Sequence, residues 1–327
     1  MPLFDLPLPE LRAYKPDASV PADLEDFWAR TLADARAHPL SAEFSSIEGV
    51  LTVIDTFDVT YGGFAGQPIK AWLHVPAGAS GPLPAVVEYI GYGGGRGLPH
   101  ERTLYAQAGY AHFVMDTRGR GSAWMVGDTP DPLTDGSALP SHPGFMTRGV
   151  LDPETYYYRR VFTDAVRAVE AVRSHPLVDS SRVAVTGSSQ GGGLTIAVAS
   201  LVGDVVAAAP DVPFLSDFPR GTTLMDTDPY NEITRYLKTH RDHVDLVYRT
   251  LAYFDVAILG GWASAPALFS VGLMDETCPP STVYAAYNHY GGPKEIVEYP
   301  FNDHEGGEGF HAVTKLRWLG ARLRPAA

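Results

Sequence analysis

Apolar positions along the chain recur in two periods, one near 3.6 and one near 2. After a proline-rich arm over the first 20 residues, Leu24, Phe27, Trp28 and Leu32 fall at helical spacing behind Pro21, with Asp23, Glu25 and Asp26 at the positive helix end. The runs Thr52–Thr60 and Ile69–Val75 follow, parted by Gly62-Gly63 and Gly66, and predict a β-hairpin. Pro84–Ile90 (PAVVEYI) is almost wholly apolar and β-branched, as in a strand buried on both faces, and runs into the glycine loop Gly91–Gly97. Elements then alternate: helix Thr103–Gly109, strand Ala111–Met115, a loop with Pro130, Pro132, Pro140 and Pro143, and helix Pro153–Ser174. Strand Arg182–Thr186, a helix after Ser189 and strand Val205–Ala209 continue the alternation. Strand Ala267–Val271, helix Ser281–Tyr290, strand Glu295–Tyr299 and helix Phe310–Leu323 complete it. This order predicts an α/β protein with a mostly parallel sheet covered by helices on both faces. Residues 212–255 break the order; they are polar and helical (Asn231–His240, His243–Tyr253) and are expected to cap the C-terminal edge of the sheet. The chain therefore reads as one domain over 1–327, with an N-terminal arm and helix in residues 1–40.

Composition narrows the function classes. A hydrophobic share of 45% in 327 residues supports a sizeable core. The formal net charge of −13 disfavours nucleic acid and anionic lipid as partners, since both select basic surfaces. A single cysteine, Cys278, excludes an internal disulfide and any multi-cysteine metal centre, and is expected to pack near the loop of the acid Asp275 rather than attack substrate. No apolar run is long enough to cross a membrane, and no basic segment leads into an apolar one at the N-terminus, so a cytoplasmic enzyme is expected.

The strongest local chemistry lies in Gly187-Ser188-Ser189-Gln190-Gly191, between the strand RVAVT and the apolar helix LTIAVASLV. A G-x-S-x-G run in that setting places serine on a sharp strand-to-helix turn, where its hydroxyl projects above the sheet and helix-start N–H groups face a developing oxyanion. The competing reading is a glycine-rich helix start in which Ser188 or Ser189 merely caps. A serine nucleophile needs a base, and on this kind of sheet the partners follow in the order Ser, acid, His. Asp275 lies just past the strand ALFSV, with Glu276 as fallback, and His304 lies between the last strand and last helix. Asp255 precedes the strand-like VAIL and so sits at the wrong end, while Asp303 adjoins His304 and points elsewhere. The loop after PAVVEYI offers the Tyr92 N–H as a second oxyanion donor beside that of Gln190. Arg96 stands where a dinucleotide fingerprint needs glycine, and no lysine follows to make a phosphate loop. His304-Glu305-Gly306-Gly307-Glu308 lacks the second histidine of a zinc motif, and His240-x-x-His243 is expected on a solvated polar face, so neither a metal nor a cofactor is expected.

Taken together, YIGYGGGRG (89–97), MDTRGR (115–120), GSSQGGG (187–193), DVPFL (211–215), GLMDETCPPSTVYAAYN (272–288), GPKEIVEYP (292–300) and NDHEGGE (302–308) resemble carbohydrate esterase family seven, the acetyl xylan esterases and cephalosporin-C deacetylases. So does the stretch GFMTRGVLDPETYYYRRVFTDAVRAVE over residues 144–170. The resemblance implies an α/β-hydrolase fold, a Ser189–His304–Asp275 triad, oxyanion donors from Tyr92 and Gln190, and removal of acetyl groups from small esters. It also implies a homo-hexamer, a trimer of dimers with sites facing an inner cavity. The family's Arg-Gly-Gln reads Arg118-Gly119-Arg120 here, and the extra guanidinium in an acidic protein is expected to meet a carboxylate. Tyr92 and Trp124 are expected to wall a narrow acyl pocket. A prolyl-oligopeptidase-type peptidase and a non-catalytic binding protein are the alternatives.

Overall fold

The buried β-branched runs assemble into one sheet. In a computed structural model, which describes residues 3–132, 142 and 144–323, the strands are β1 (Glu43–Ile47), β2 (Ile54–Gly62), β3 (Pro68–Pro76), β4 (Leu83–Tyr89) and β5 (Ala111–Met115). They continue as β6 (Val178–Ser188), β7 (Ala207–Asp211), β8 (Ala267–Gly272) and β9 (Lys294–Tyr299). Among the described residues their order is β1-β2-β3-β5-β4-β6-β7-β8-β9. The β1/β2, β2/β3 and β3/β5 pairs are antiparallel, and all pairs from β5 to β9 are parallel. Pro140 and Pro143 of the expected loop lie outside the described residues.

β8 is buried along its whole length, as a central parallel strand covered on both faces must be. Helices Tyr157–Arg173 and Gln190–Val202 cover the sheet. The helix expected behind Pro21 spans Leu24–Arg36; it buries Phe27, Trp28 and Leu32, and Trp28 stacks on Phe162 at 5.6 Å. The Trp28 indole N–H is satisfied by the Tyr253 carbonyl at 3.0 Å, so the arm joins the core without leaving a buried donor unpaired.

One local expectation needs correction, and two short elements carry no signal in the sequence. VAIL (Val256–Leu259) is a helical turn, capped by Asp255 through the Ala257 N–H, not a strand. Four consecutive apolar residues carry no period that separates the two. The exposed edge strand β1, EFSSI, has too few apolar positions to show alternation, and the short helix Leu8–Ala13 hides in the proline-rich arm.

The loop leaving β5 is pinned by a buried ion pair. Arg118 donates to Asp164 through Nε at 2.6 Å and Nη2 at 2.8 Å, and the Phe64 N–H adds a third bond at 2.9 Å. A Cβ at Gly63 would come within 2.2 Å of Asp164 Oδ1, so only glycine fits against this carboxylate.

Register aligns the strand ends. Tyr89 pairs Gly187, Ser188 pairs Asp211, Asp211 pairs Ser270 and Gly272 pairs Tyr299. The C-terminal ends of β4 and β6 to β9 therefore share one edge, where open parallel sheets bind their ligands.

Candidate active site

Ser189 lies on that edge, between β6 and helix Gln190–Val202, with φ 59° and ψ −120°. A side-chain-bearing residue avoids this region, and holding it there costs about 1–3 kcal/mol. The surroundings enforce it. The Ser189 N–H donates to the Asp211 carbonyl at 3.0 Å, and the Ser189 carbonyl accepts from Gly193 at 3.0 Å and Phe214 at 2.9 Å. The flanking glycines make room: a Cβ at Gly187 would lie 2.5 Å from the Gly191 carbonyl carbon, and one at Gly191 would lie 2.1 Å from the Tyr89 oxygen. Ser189 is thus more than a helix cap, since its side chain makes no capping bond.

His304 occupies the turn between β9 and helix Glu308–Leu323, and its Nδ1 lies 2.9 Å from Asp275 Oδ2. Asp275, just past β8, is fully buried, and its Oδ1 accepts the Thr277 and Cys278 N–H groups at 2.8 Å each. A carboxylate only accepts, so Nδ1 carries the proton and Nε2 is left as the basic atom. Burial opposes charge on the His304 ring, but the hydrogen-bonded Asp275 carboxylate favours it more, and the imidazole is pushed above its ordinary value. Burial pushes the Cys278 thiol up in turn, which keeps it protonated.

Cys278 is buried beside the Asp275 loop, as expected, and its N–H is held by that carboxylate. Asp275, Cys278 and His304 each bring one ligating atom within 4.8 Å of the others. The trio is a poor cation grip, because both Asp275 oxygens are already taken by N–H donors. Among the rivals, Asp303 accepts the Glu276 N–H at 3.0 Å, and the carboxylate bonded to the imidazole is that of Asp275. Asp255 accepts the Asp217, Phe218 and Ala257 N–H groups, and burial pushes its carboxyl up to about 7. His240 and His243 lie on a solvated stretch, half-exposed beside the exposed Thr239, Arg241 and Asp242; their rings stack 5.0 Å apart, and His243 bonds the Tyr236 hydroxyl at 2.9 Å.

Ser189 and His304 line one cavity of about 400 Å³, walled also by Tyr92, Trp124, Arg102 and Glu88. Asp228 and Pro229, from the 212–255 segment, complete its rim. A second cavity of about 540 Å³, between residues 16–22 and Tyr248–Tyr253, holds none of the proposed site residues. Trp124 stands over the glycine loop: a Cβ at Gly91 would lie 3.4 Å from Trp124 Cζ2 and 3.9 Å from Ser189 Cβ. The Trp124 indole N–H donates to the Tyr92 carbonyl at 2.8 Å. The Tyr92 hydroxyl is turned inward, donating to Glu232 at 2.5 Å and accepting the Phe145 N–H at 2.8 Å. Gln190 opens its helix, so its N–H has no intrahelical acceptor, and its buried side chain donates to the Ile90 carbonyl at 3.0 Å.

Sequence reasoning overlooked Glu88, which receives Arg102 and the His112 Nε2, the latter at 2.8 Å. The signal was present, since a glutamate inside an apolar strand must be paired when buried. Arg120 needs correction. It meets no carboxylate among the described residues; its Nε donates to the Tyr157 hydroxyl at 3.0 Å and its Nη2 to that of Tyr158 at 3.2 Å.

Comparison with known proteins bears on this arrangement. Residues 1–322 match the acetyl xylan esterase (AXE1) family model. The chain is 29% identical to the acetyl esterase Axe7A of Xylanibacter ruminicola, over 97% of this chain and 70% of that protein. Its structure superposes on an acetyl xylan esterase from Paenibacillus sp. R4 with a TM-score of 0.92 at 39% identity, covering 97% of this chain and 100% of that one. Acetyl Xylan Esterase 1 from Thermoanaerobacterium sp. JW/SL YS485 gives 0.88 at 33% identity, covering 97% and 99%. An acylaminoacyl peptidase from Pyrococcus horikoshii shares the α/β-hydrolase fold at 14% identity, with a TM-score of 0.59 over 85% of this chain and 43% of that one. With its sheet and nearly its whole length matched, the chain belongs to the acetyl xylan esterase family of serine hydrolases.

Proposed function

We propose that the enzyme removes acetyl groups from small esters, among them acetylated xylo-oligosaccharides and cephalosporin C, through an acetyl-enzyme on Ser189. His304 Nε2 takes the Ser189 proton as Oγ attacks the acetyl carbonyl. The Tyr92 and Gln190 N–H groups receive the oxyanion. The ester C–O bond then breaks, and His304 returns the proton to the departing alkoxide. Water, deprotonated by His304, attacks the acetyl carbon; acetate leaves and Ser189 regains its proton. Asp275 holds the tautomer and offsets the imidazolium charge. The observation that carries this reading is the His304–Asp275 bond opening onto the cavity that holds the strained Ser189.

Trp124 narrows the acyl side, so acetyl should be preferred to butyryl, and butyryl to octanoyl. We further propose a single domain in which 212–255 caps the site, and a hexamer, a trimer of dimers, whose enclosed sites admit oligosaccharides but not polymeric xylan. The test combines rates on an acetyl ester, a chromogenic peptide, xylotriose acetates and acetylated xylan with the mass in solution by light scattering. The proposal expects ester and xylotriose acetate turnover in a hexamer. Peptide cleavage without ester cleavage overturns the esterase reading, and equal rates on polymer and oligomer overturn the enclosure.

A further inference from the structure

We propose that Arg120 is a positioning residue for acetyl transfer, a buried guanidinium that braces both oxyanion-donor residues, Tyr92 and Gln190, and holds a positive charge behind them. This rests on the triad reading above. Arg120 is 6% exposed, and a guanidinium stays charged throughout the range in which proteins fold. Such a cation ordinarily has a carboxylate against it. Here aromatic groups replace it: the guanidinium carbon lies 3.9 Å from the Tyr92 ring centre and 4.0 Å from that of Phe145, with Tyr157 at 5.2 Å and Tyr158 at 6.0 Å. Its Nη1 is buried and has no hydrogen-bond partner among the described residues.

Two short paths run from this group to the site. The Tyr158 hydroxyl, which receives Arg120 Nη2, donates to Gln190 Oε1 at 3.0 Å, and Gln190 Nε2 donates to the Ile90 carbonyl at 3.0 Å. The first residue of the nucleophile helix is thereby tied to the start of the glycine loop. On the other path, Arg120 covers the face of Tyr92, whose hydroxyl meets Glu232, itself held by the Met146 N–H at 3.0 Å. The carboxylate thus meets the ring at its hydroxyl and the cation meets its face. A neutral amide at position 120 would reproduce a hydrogen bond to a tyrosine hydroxyl but not the charge. In the tetrahedral intermediate the acetyl oxygen becomes anionic, and a fixed charge in a water-poor surrounding stabilises it without reorganising. An unsatisfied, desolvated donor lowers stability, and natural proteins break local rules in this way chiefly at functional sites.

The experiment compares Arg120→Gln and Arg120→Lys with the parent for kcat and KM on 4-nitrophenyl acetate, for inhibition by methylboronic acid, and for thermal midpoint. Methylboronic acid forms an anionic tetrahedral adduct on a serine nucleophile and so reports oxyanion stabilisation directly. Loss of one direct oxyanion donor costs about 10²–10³-fold in turnover, so a charge one residue behind the donors should be worth about tenfold. Arg120→Gln is expected to lose about tenfold in kcat and in boronate affinity with KM within about twofold, and Arg120→Lys to recover most of both. A merely structural role would lower the thermal midpoint and substrate affinity without singling out the boronate. Boronate affinity within about twofold of the parent in Arg120→Gln, or equal impairment in Arg120→Lys, overturns the proposal. Should Arg120→Gln not fold, Tyr158→Phe removes the hydroxyl between Arg120 and Gln190; lower kcat and weaker boronate binding support the proposal, and parental values overturn it. Failure of the triad reading is separable, because Ser189→Ala would then bind the boronate as the parent does.

Discussion

Replacing Asp275 with asparagine changes almost no volume and reverses one hydrogen bond. Three donors converge on this carboxylate, the Thr277 and Cys278 N–H groups on Oδ1 and His304 on Oδ2, in a fully buried position. An amide has one acceptor oxygen and one NH2. Turning the NH2 toward the backbone would strand two buried donors at about 1–3 kcal/mol each. The oxygen will therefore stay with Thr277 and Cys278, and the NH2 will face His304. Nδ1 must then accept, Nε2 must carry the proton, and the ring can no longer take a proton from Ser189. Reaching the productive tautomer requires the disfavoured amide orientation, about 2–6 kcal/mol, which is roughly 30- to 10⁴-fold in rate. Loss of the charge that offsets the imidazolium moves the expectation to the upper part, about 10³–10⁴-fold in kcat. KM on 4-nitrophenyl acetate should change little, since Asp275 does not line the cavity, and the thermal midpoint should stay within a few degrees, because both backbone donors keep an acceptor. Initial rates and a melting curve decide the matter. A folded Asp275→Asn enzyme with kcat within about tenfold of the parent would refute the reasoning and direct attention to Glu276.

Other consequences are equally open to measurement. The base must be neutral to act and its imidazole is pushed upward, so kcat/KM should fall on acidification with a midpoint above the ordinary value of about 6.5; a limb centred below about 6 would contradict this. Asp164→Ala removes the bidentate partner of the buried Arg118 guanidinium, leaving Asp131 at 3.5 Å, and should cost about 3 kcal/mol in urea unfolding; a loss under about 1 kcal/mol would show the pair to be dispensable. Trp124→Ala should narrow the acetyl-to-butyryl rate ratio by about tenfold, and an unchanged ratio would remove Trp124 from the acyl wall.

The parallel half of the fold was readable because most of its strands carry short apolar, β-branched runs separated by helical segments, so period and length agree. VAIL failed for want of either signal. β1 failed because an exposed edge strand need not alternate. At the site, the positions of Ser189, Asp275 and His304 follow from strand order: each falls after a strand, and a parallel sheet puts those ends on one edge. The surroundings of these residues do not follow from order. That the Cys278 sulfur comes within 4.8 Å of a His304 ring nitrogen, that Tyr92 turns its hydroxyl to Glu232, and that Arg120 rests on rings depends on how separate loops pack. For Arg120, charge balance pointed to a carboxylate, whereas the nearby residues of helix Tyr157–Arg173 present tyrosine hydroxyls.

The central claim is that acetyl passes through Ser189. Mixing the enzyme with excess 4-nitrophenyl acetate, quenching in acid within the first turnovers and mapping peptides by mass spectrometry tests it directly. The account predicts an acetyl group on Ser189, absent from a folded Ser189→Ala variant whose turnover is at least about 10³-fold lower. Acetyl found on another residue such as Cys278, or a Ser189→Ala enzyme that keeps its rate, would contradict it.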